Sequence, residues 1–318
     1  MKYRATYEIA SQSIRSEDAN VEIGKEGLRL GDIFIDFADL DTLKPINHRV
    51  MLTLLDGTGI EISMLGFSYD GFWEELTGCF GERTLQALFV QEETIMKCEG
   101  EYSYYPEDHP EKEAGRGQVI LVSDAVIILP QSSNAVRVPL FYAESVTIDG
   151  YQIMIKMKDG RGYQIGKFGY DTKPFFERCE TAFKKTTAKR QKLLDGFTSE
   201  KPFTYKGLFR TIQETEFWGA AFGDGKAAIE LYTKDDSATY LYSFDDKDRF
   251  VQSLEKAMEA VGSHREIIFL SEEELSKKPL YRMAVHRSGA VRFLRSCSAG
   301  RLIHSKDHAK KLDEFLNM

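Results

Sequence analysis

Two stretches of the chain carry the same hydrophobic rhythm. Val50, Leu52 and Leu54 alternate with other residues, as do Ile153, Ile155 and Met157, the period of two that sets one face of a strand against a core. Each stretch runs into Asp-Gly-x-Gly, at 56–59 and 159–162. Glycine reaches positive φ without steric cost, so this sequence between alternating segments predicts a tight hairpin. A third pattern comes after each hairpin. Phe72, Trp73, Leu76, Cys79 and Phe80, and again Phe175, Phe176, Cys179, Ala182 and Phe183, fall at i, i+1, i+4, i+7 and i+8. That spacing predicts a helix with one apolar face, laid on its own sheet. Asp171 or Thr172 suits the start of the second helix and Pro174 its first turn.

The repeat holds its spacing without a gap. Residues 35–80 laid over 138–183, at a constant offset of 103, give nine identities in 46 positions, among them Met51/Met154, Gly57/Gly160, Ile62/Ile165, Phe72/Phe175 and Phe80/Phe183. Chance gives about three for ordinary composition. A weaker third echo covers 229–261, where alternation at Ile229–Thr233 and at Tyr240, Tyr242 and Phe244 precedes a helical stripe at Phe250, Val251, Leu254, Ala257 and Met258. Only about thirty residues, from Phe203, precede that hairpin, so the unit is either truncated or completed by the segment after it. Beyond it the sequence predicts a strand at 267–270, a short helix at 272–278, a hairpin of 281–286 with 291–295 around Ser288-Gly289, and a terminal helix capped by Ser305. The organisation expected is a module at 1–90, a second at 91–195 and a mixed α/β domain at 200–318, a divergent or truncated third module.

The phrases GLRLGDIFIDFADLDTL (27–43), HRVMLTLLDGTGIEISMLG (48–66) and YQIMIKMKDGRGYQIGKFG (151–169) resemble the strand rhythm of GRAM and bacterial PH-like domains over roughly residues 1–195. The resemblance implies a mainly β fold with α: repeated PH-like β-barrel or sandwich modules, each ending in a C-terminal amphipathic helix, plus a mixed α/β carboxy-terminal part. It also implies binding platforms for proteins, peptides or lipid headgroups rather than enzymes. The usual headgroup site of such domains draws on basic residues in the first strand-to-strand loop. Here the corresponding stretches, 11–20 and 99–113, are acidic, so phosphoinositide binding is not expected there.

Composition narrows the class. At 318 residues, 42% hydrophobic and 29% charged, the chain can bury two or three cores. Tyr (15) and Phe (21) are frequent, a bias towards strands. The amino terminus lacks the apolar core of an export signal, and no apolar run approaches a membrane span. Cys79, Cys98, Cys179 and Cys297 are scattered, which predicts reduced thiols in a cytoplasm. A net charge of −8 argues against nucleic acid as the partner of the whole protein.

The motifs that carry chemistry are missing or incomplete. Gly223–Lys226 lacks both the earlier glycine and the following hydroxyl of a phosphate loop, Ser253 and Lys256 share an exposed helix face, and neighbouring carboxylates such as Glu74-Glu75 point apart. His304 and His308 are four apart, but a helix capped at Ser305 leaves His304 outside it, so no metal site is predicted. No catalytic residue, metal or cofactor is expected.

Two surface features remain. Residues 99–113 carry six acids beside Tyr102, Tyr104 and Tyr105, a loop suited to a basic peptide. Residues 281–311 hold eight bases (Arg282, Arg287, Arg292, Arg295, Arg301, Lys306, Lys310, Lys311) against Asp307, so their charge is 8 − 1 = +7 and the remainder carries −8 − 7 = −15. An anionic partner would dock there, with Arg282 roughly facing Arg295 across the expected hairpin. The expectation is a non-catalytic binding or scaffold protein for a protein or peptide partner. The alternatives are peripheral binding to anionic membranes and an enzyme with a site assembled from distant residues.

Overall fold

The computed structural model describes residues 2–10, 14–90, 92–105, 111–130, 135–158, 160–195, 210–212, 216–232, 237–261 and 264–317. The chain is mostly β, with two curled antiparallel half-barrel sheets, a third sheet and helices. It divides into two units, one of Met1–Glu180 with Glu272–Arg287, the other of Thr181–Ser271 with Ser288–Met318.

The first sheet of unit 1 contains β1 (Lys2–Ile9), β2 (Ile14–Ile23), β3 (Gly27–Leu30), β4 (Ile33–Asp36), β5 (Leu40–Ile46), β6 (Arg49–Leu54) and β7 (Gly59–Ser63), and α1 (Tyr69–Gln86) comes next. The second contains β8 (Thr94–Tyr104), β9 (Glu113–Val122), β10 (Ala125–Pro130), β11 (Val136–Pro139), β12 (Ala143–Asp149), β13 (Gln152–Met157) and β14 (Gly162–Gly166), and α2 (Thr172–Asp195) comes after it. The strand orders are β4-β3-β2-β1-β7-β6-β5 and β11-β10-β9-β8-β14-β13-β12. In each, a four-strand meander meets a three-strand meander where the first strand pairs the last, Tyr7 opposite Ile62 and Tyr102 opposite Ile165.

The offset of 103 seen in the sequence reappears in the elements. β4 to β7 and the start of α1 map onto β11 to β14 and the start of α2 without a residue's slippage. Both hairpin glycines take the left-handed conformation, Gly57 at φ +85° and Gly160 at φ +88°. Asp56 helps fold the first turn by accepting from Thr58 N at 2.8 Å, a bond that holds its carboxyl below the usual range. The stripe Val50, Leu52, Ile60 and Ile62, and its copy Ile153, Ile155, Tyr163 and Ile165, is buried in each sheet. Phe72 and Phe175, each the fourth residue of its helix, are fully buried on those stripes, a contribution of about 1.5–3 kcal/mol apiece. Trp73, expected under the first sheet, is only half-buried.

The copies diverge before β4 and β11. β9 and β10 read Val119–Val122 and Ala125–Ile128, all buried, because their second face is covered as well. Leu85, Leu88 and Val90, at and beyond the end of α1, pack on Ile120, Val122, Ala125 and Ile127. This explains the unbroken apolar run there, since a strand buried on both faces loses its alternation.

Unit 2 is built on β15 (Arg210–Ile212), β16 (Glu216–Gly223), β17 (Lys226–Tyr232), β18 (Ser237–Ser243) and β19 (Ser298–Ile303), in that order. The hairpin-and-helix echo is present as β17, β18 and α3 (Lys247–Ala260), and β19 completes the sheet from far along the chain. Among the described residues α3, α6 (Gly289–Ser296) and α7 (His308–Asn317) lie wholly within unit 2 and α2 belongs to it from Thr181 on, while α4 (Glu272–Ser276) and α5 (Pro279–Arg287) belong to unit 1. The carboxy-terminal domain expected over 200–318 therefore gives up 272–287.

Three local expectations are corrected. The hairpin around Ser288-Gly289 is instead two helices, α5 and α6, with Ser288 capping α6 by accepting from Val291 N at 3.3 Å. The apolar positions Leu280, Met283 and Ala284, then Ala290, Val291 and Leu294, have helical spacing, and a capping serine before a glycine mimics a turn in sequence. The strand expected at 267–270 is largely a 3-10 turn, Arg265–Ile268. The terminal helix starts at His308 rather than after Ser305.

Candidate binding surfaces

The loop between each sheet and its helix exposes an aromatic ring at the same repeat position. Phe67 and Tyr170, 103 residues apart, are fully exposed. Both sit in a 3-10 turn (Gly66–Ser68 and Gly169–Asp171) entered through a left-handed glycine, Gly66 at φ +54° and Gly169 at φ +62°. Two residues earlier, Met64 and Lys167 also take positive φ, an uncommon choice for residues with a side chain. Further exposed apolar side chains lie at the same sheet end, Ile46 and Met64 in the first copy and Tyr151 in the second. The registers Val50↔Ile62 and Gln152↔Gly166 bring the β5–β6 and β12–β13 turns beside these loops. Phe67 and Tyr170 are absent from the candidates read off the sequence, although the repeat aligns an aromatic with an aromatic directly after a matched glycine.

On the solvent face of the second sheet, β8, β9, β13 and β14 frame a concavity of about 480 Å³. Glu101, Arg116, Gln152, Gln164, Lys112 and Lys167 line it. Lys167 Nζ lies 2.8 Å from Glu101 Oε2, and Ser103 Oγ donates to Gln164 Oε1 at 3.1 Å. The charges of the lining are mixed in sign and interleaved with apolar surface such as Tyr102 and Ile165, which suits side chains of an extended peptide better than a uniform anion.

The tyrosines singled out by the sequence separate. Tyr102 and Tyr104 lie in β8 and are buried; only Tyr105 is exposed. Tyr104 donates to Glu113 Oε2 at 2.8 Å, and burial followed by that carboxylate pushes its phenol far above the ordinary range. Residues 106–110, the acidic centre of the expected loop, lie outside the described residues.

The arginines separate as well. Arg282 and Arg287 stand on α5 in unit 1, where Arg282 Nη2 meets Asp39 Oδ1 at 2.7 Å and Met283 joins the core of the first module. The Arg287 guanidinium lies over Phe80 at 5.6 Å, its two terminal nitrogens buried without a hydrogen-bond partner, and burial pushes it down to about 9. In unit 2, Arg295 donates to the carbonyls of Ile267 and Leu270 at 2.7 Å each, Arg301 lies over Tyr240, and Arg292 is half-exposed. Arg282 and Arg295 do not face each other across a hairpin, because that hairpin does not exist. Three of the five arginines thus spend their guanidinium groups inside the fold.

His304 and His308 do converge, with ring centroids 3.9 Å apart. Both Nε2 atoms reach Thr239 Oγ1, at 2.7 and 2.9 Å, and Glu230 lies beside them. The turn between Ser305 and His308 supplies this approach, which sequence could not show.

No family model matches the chain, nor does any curated protein. Among solved structures, the C-terminal domain of an unknown protein from Leishmania infantum overlaps 33% of this chain and 95% of that one, at 6% identity and a TM-score of 0.27. A likeness at that score carries no argument. Among the described residues no helix is long and apolar enough to cross a membrane.

Proposed function

We propose that the chain is a non-catalytic binding or scaffold protein whose two repeated modules are PH-like and together engage a protein or peptide partner. The observation that carries this reading is the pair of fully exposed aromatics, Phe67 and Tyr170, at one position of the repeat. A large ring held in water costs free energy, and rigid aromatic anchors are what interface centres are made of. Two of them on duplicated turns fit a partner gripped at two points, with affinity gained through linkage. The concavity on the second module adds a mixed-charge rim. Strand order and the closing helix in both copies support the PH-like reading, and the four free thiols suit a reducing cytoplasm.

The test is affinity capture from the native cell with wild type, Phe67→Ser/Tyr170→Ser and Arg116→Glu/Lys167→Glu chains, beside sedimentation with anionic vesicles. The expected result is a partner held by wild type and lost with the aromatic pair. Capture unaffected by either double substitution overturns the reading. Saturable vesicle binding that depends on Phe67 and Tyr170 replaces it with the membrane alternative.

A further inference from the structure

Glu230 is 1% exposed and Thr239 fully buried, and they are opposite one another on β17 and β18, so their side chains share one face of the sheet. That face is the one α7 covers, where Leu312, Phe315 and Leu316 pack with Leu302 on Ala228 and Leu241. The Glu230 carboxyl group thus lies in the interior, beneath α7. Beside it stand two imidazoles. His304 comes directly after β19 and His308 opens α7, and one ligand atom from each of Glu230, His304 and His308 lies within 4.8 Å of the others. Thr239 adds a constraint. Its single hydroxyl proton can serve only one of the two Nε2 atoms that it touches, so the other must bring a proton of its own. A metal ion in that place would instead take a lone pair from each ring.

We propose that Glu230, His304 and His308 form a binding site for a divalent first-row transition metal, zinc before the others. Two imidazoles and a carboxylate are a recognised zinc set, whereas calcium and magnesium take oxygen ligands alone. Tetrahedral bonds of about 2.0–2.2 Å put ligand atoms roughly 3.3–3.5 Å apart, within the 4.8 Å that bounds the three ligand atoms here. A water held by the Thr239 hydroxyl takes the fourth place, because that hydroxyl, 2.7 and 2.9 Å from the two Nε2 atoms, is nearer to them than two ligands of one tetrahedral ion stand. The ligands come from β17, from the segment after β19 and from α7, so the ion closes the carboxy-terminal helix onto the middle of the sheet. Both histidines keep partial exposure, which leaves the ion a way in. This site is independent of the binding reading above; either survives the loss of the other.

The full chain, stripped with chelator and freed of any histidine tag, is titrated with Zn²⁺ against a chromophoric chelator, and with Co²⁺ followed by its visible absorption. The expected result is one ion per chain, tetrahedral cobalt bands and a higher Tm with zinc. His304→Ala and His308→Ala each abolish stoichiometric binding, and Thr239→Val weakens it about tenfold. His264→Ala and His286→Ala, outside the cluster, leave it unchanged. Because Glu230 is interior, the half-exposed histidine variants decide the matter, with circular dichroism confirming that each is folded. No saturable binding by wild type, or stoichiometric binding retained by either histidine variant, overturns the proposal.

Discussion

The two half-barrel modules and the third sheet end in the same hairpin and helix, yet they treat polarity in opposite ways. In the repeated strands β6, β7, β13 and β14, alternation survives: Val50, Leu52, Ile60 and Ile62, or Ile153, Ile155, Tyr163 and Ile165, are buried two to a strand, while the residue between each two keeps exposure. In unit 2, Ala227 to Glu230 are all buried, because α7 covers the face opposite α3. A sheet covered on one side tolerates any polar residue on the other. A sheet covered on both must satisfy whatever polar group it admits, and Thr239 meets its partners in His304 and His308, 65 and 69 positions later. Duplication copies packing faithfully, whereas a polar interior has to be assembled case by case.

The equivalence of the modules can be broken most directly at their helices. Phe72→Ala and Phe175→Ala should each destabilise unit 1 by about 3–5 kcal/mol, to a similar extent, since both rings are fully buried at one repeat position. Chemical denaturation measures this, and a small effect at one site alone would refute the equivalence. A second test uses a position where the copies differ. The Arg137 side chain is 3% exposed and pairs with Glu92 and Asp124 at 3.0 Å, whereas its counterpart 103 residues earlier, Phe34, is half-exposed. Arg137→Ala should cost about 2 kcal/mol, below the roughly 3–5 kcal/mol of a fully buried pair because both carboxylates keep some water. Phe34→Ala should stay within about 0.5 kcal/mol. Gly57→Ala and Gly160→Ala should each cost about 1 kcal/mol through their positive φ, with no clash at either added Cβ.

The smallest effect is one of rate. Burial pushes the Cys179 thiol up to about 12, whereas an unfolded cysteine ionises near 8.5. In the folded chain Cys179 stays protonated, so its share of stability is whole below about pH 8.5 and is lost as pH rises from there through 12. Alkylation at about pH 8 should modify the half-buried Cys79 and Cys297 well before Cys179. Mass spectrometry after timed quenching gives the order, and early loss of Cys179 would mean that α2 opens readily.

Much of the fold is legible in the chain. Period-two alternation around Asp-Gly-x-Gly, and the helical stripe after it, are local signals, and the offset of 103 carries them residue for residue from β4 to α1 and from β11 to α2. Other elements mislead for a physical reason. Ser288-Gly289 serves equally as a turn or as a helix cap, and only the packing of Met283 on one core and Val291 and Leu294 in another decides for helices. Basic residues counted along 281–311 suggest a charged surface. Folding spends Arg282 on Asp39, Arg287 on the ring of Phe80 and Arg295 on two carbonyls. Tyr102 and Tyr104 look like loop aromatics beside acids, but strand pairing carries β8 through them and turns them inward.

From sequence alone came the duplicated modules, their hairpins and closing helices, because each depends on periodicity over a dozen neighbouring residues. Tertiary structure alone decided which surfaces stayed free and which polar groups met. Phe67 and Tyr170 stand in water because left-handed turns lift them off their sheets. Glu230, Thr239, His304 and His308 come together because a two-sided sheet brings strands distant in sequence under one helix. Contact across such distances is set by the closing of the core, and no local pattern in the chain records it.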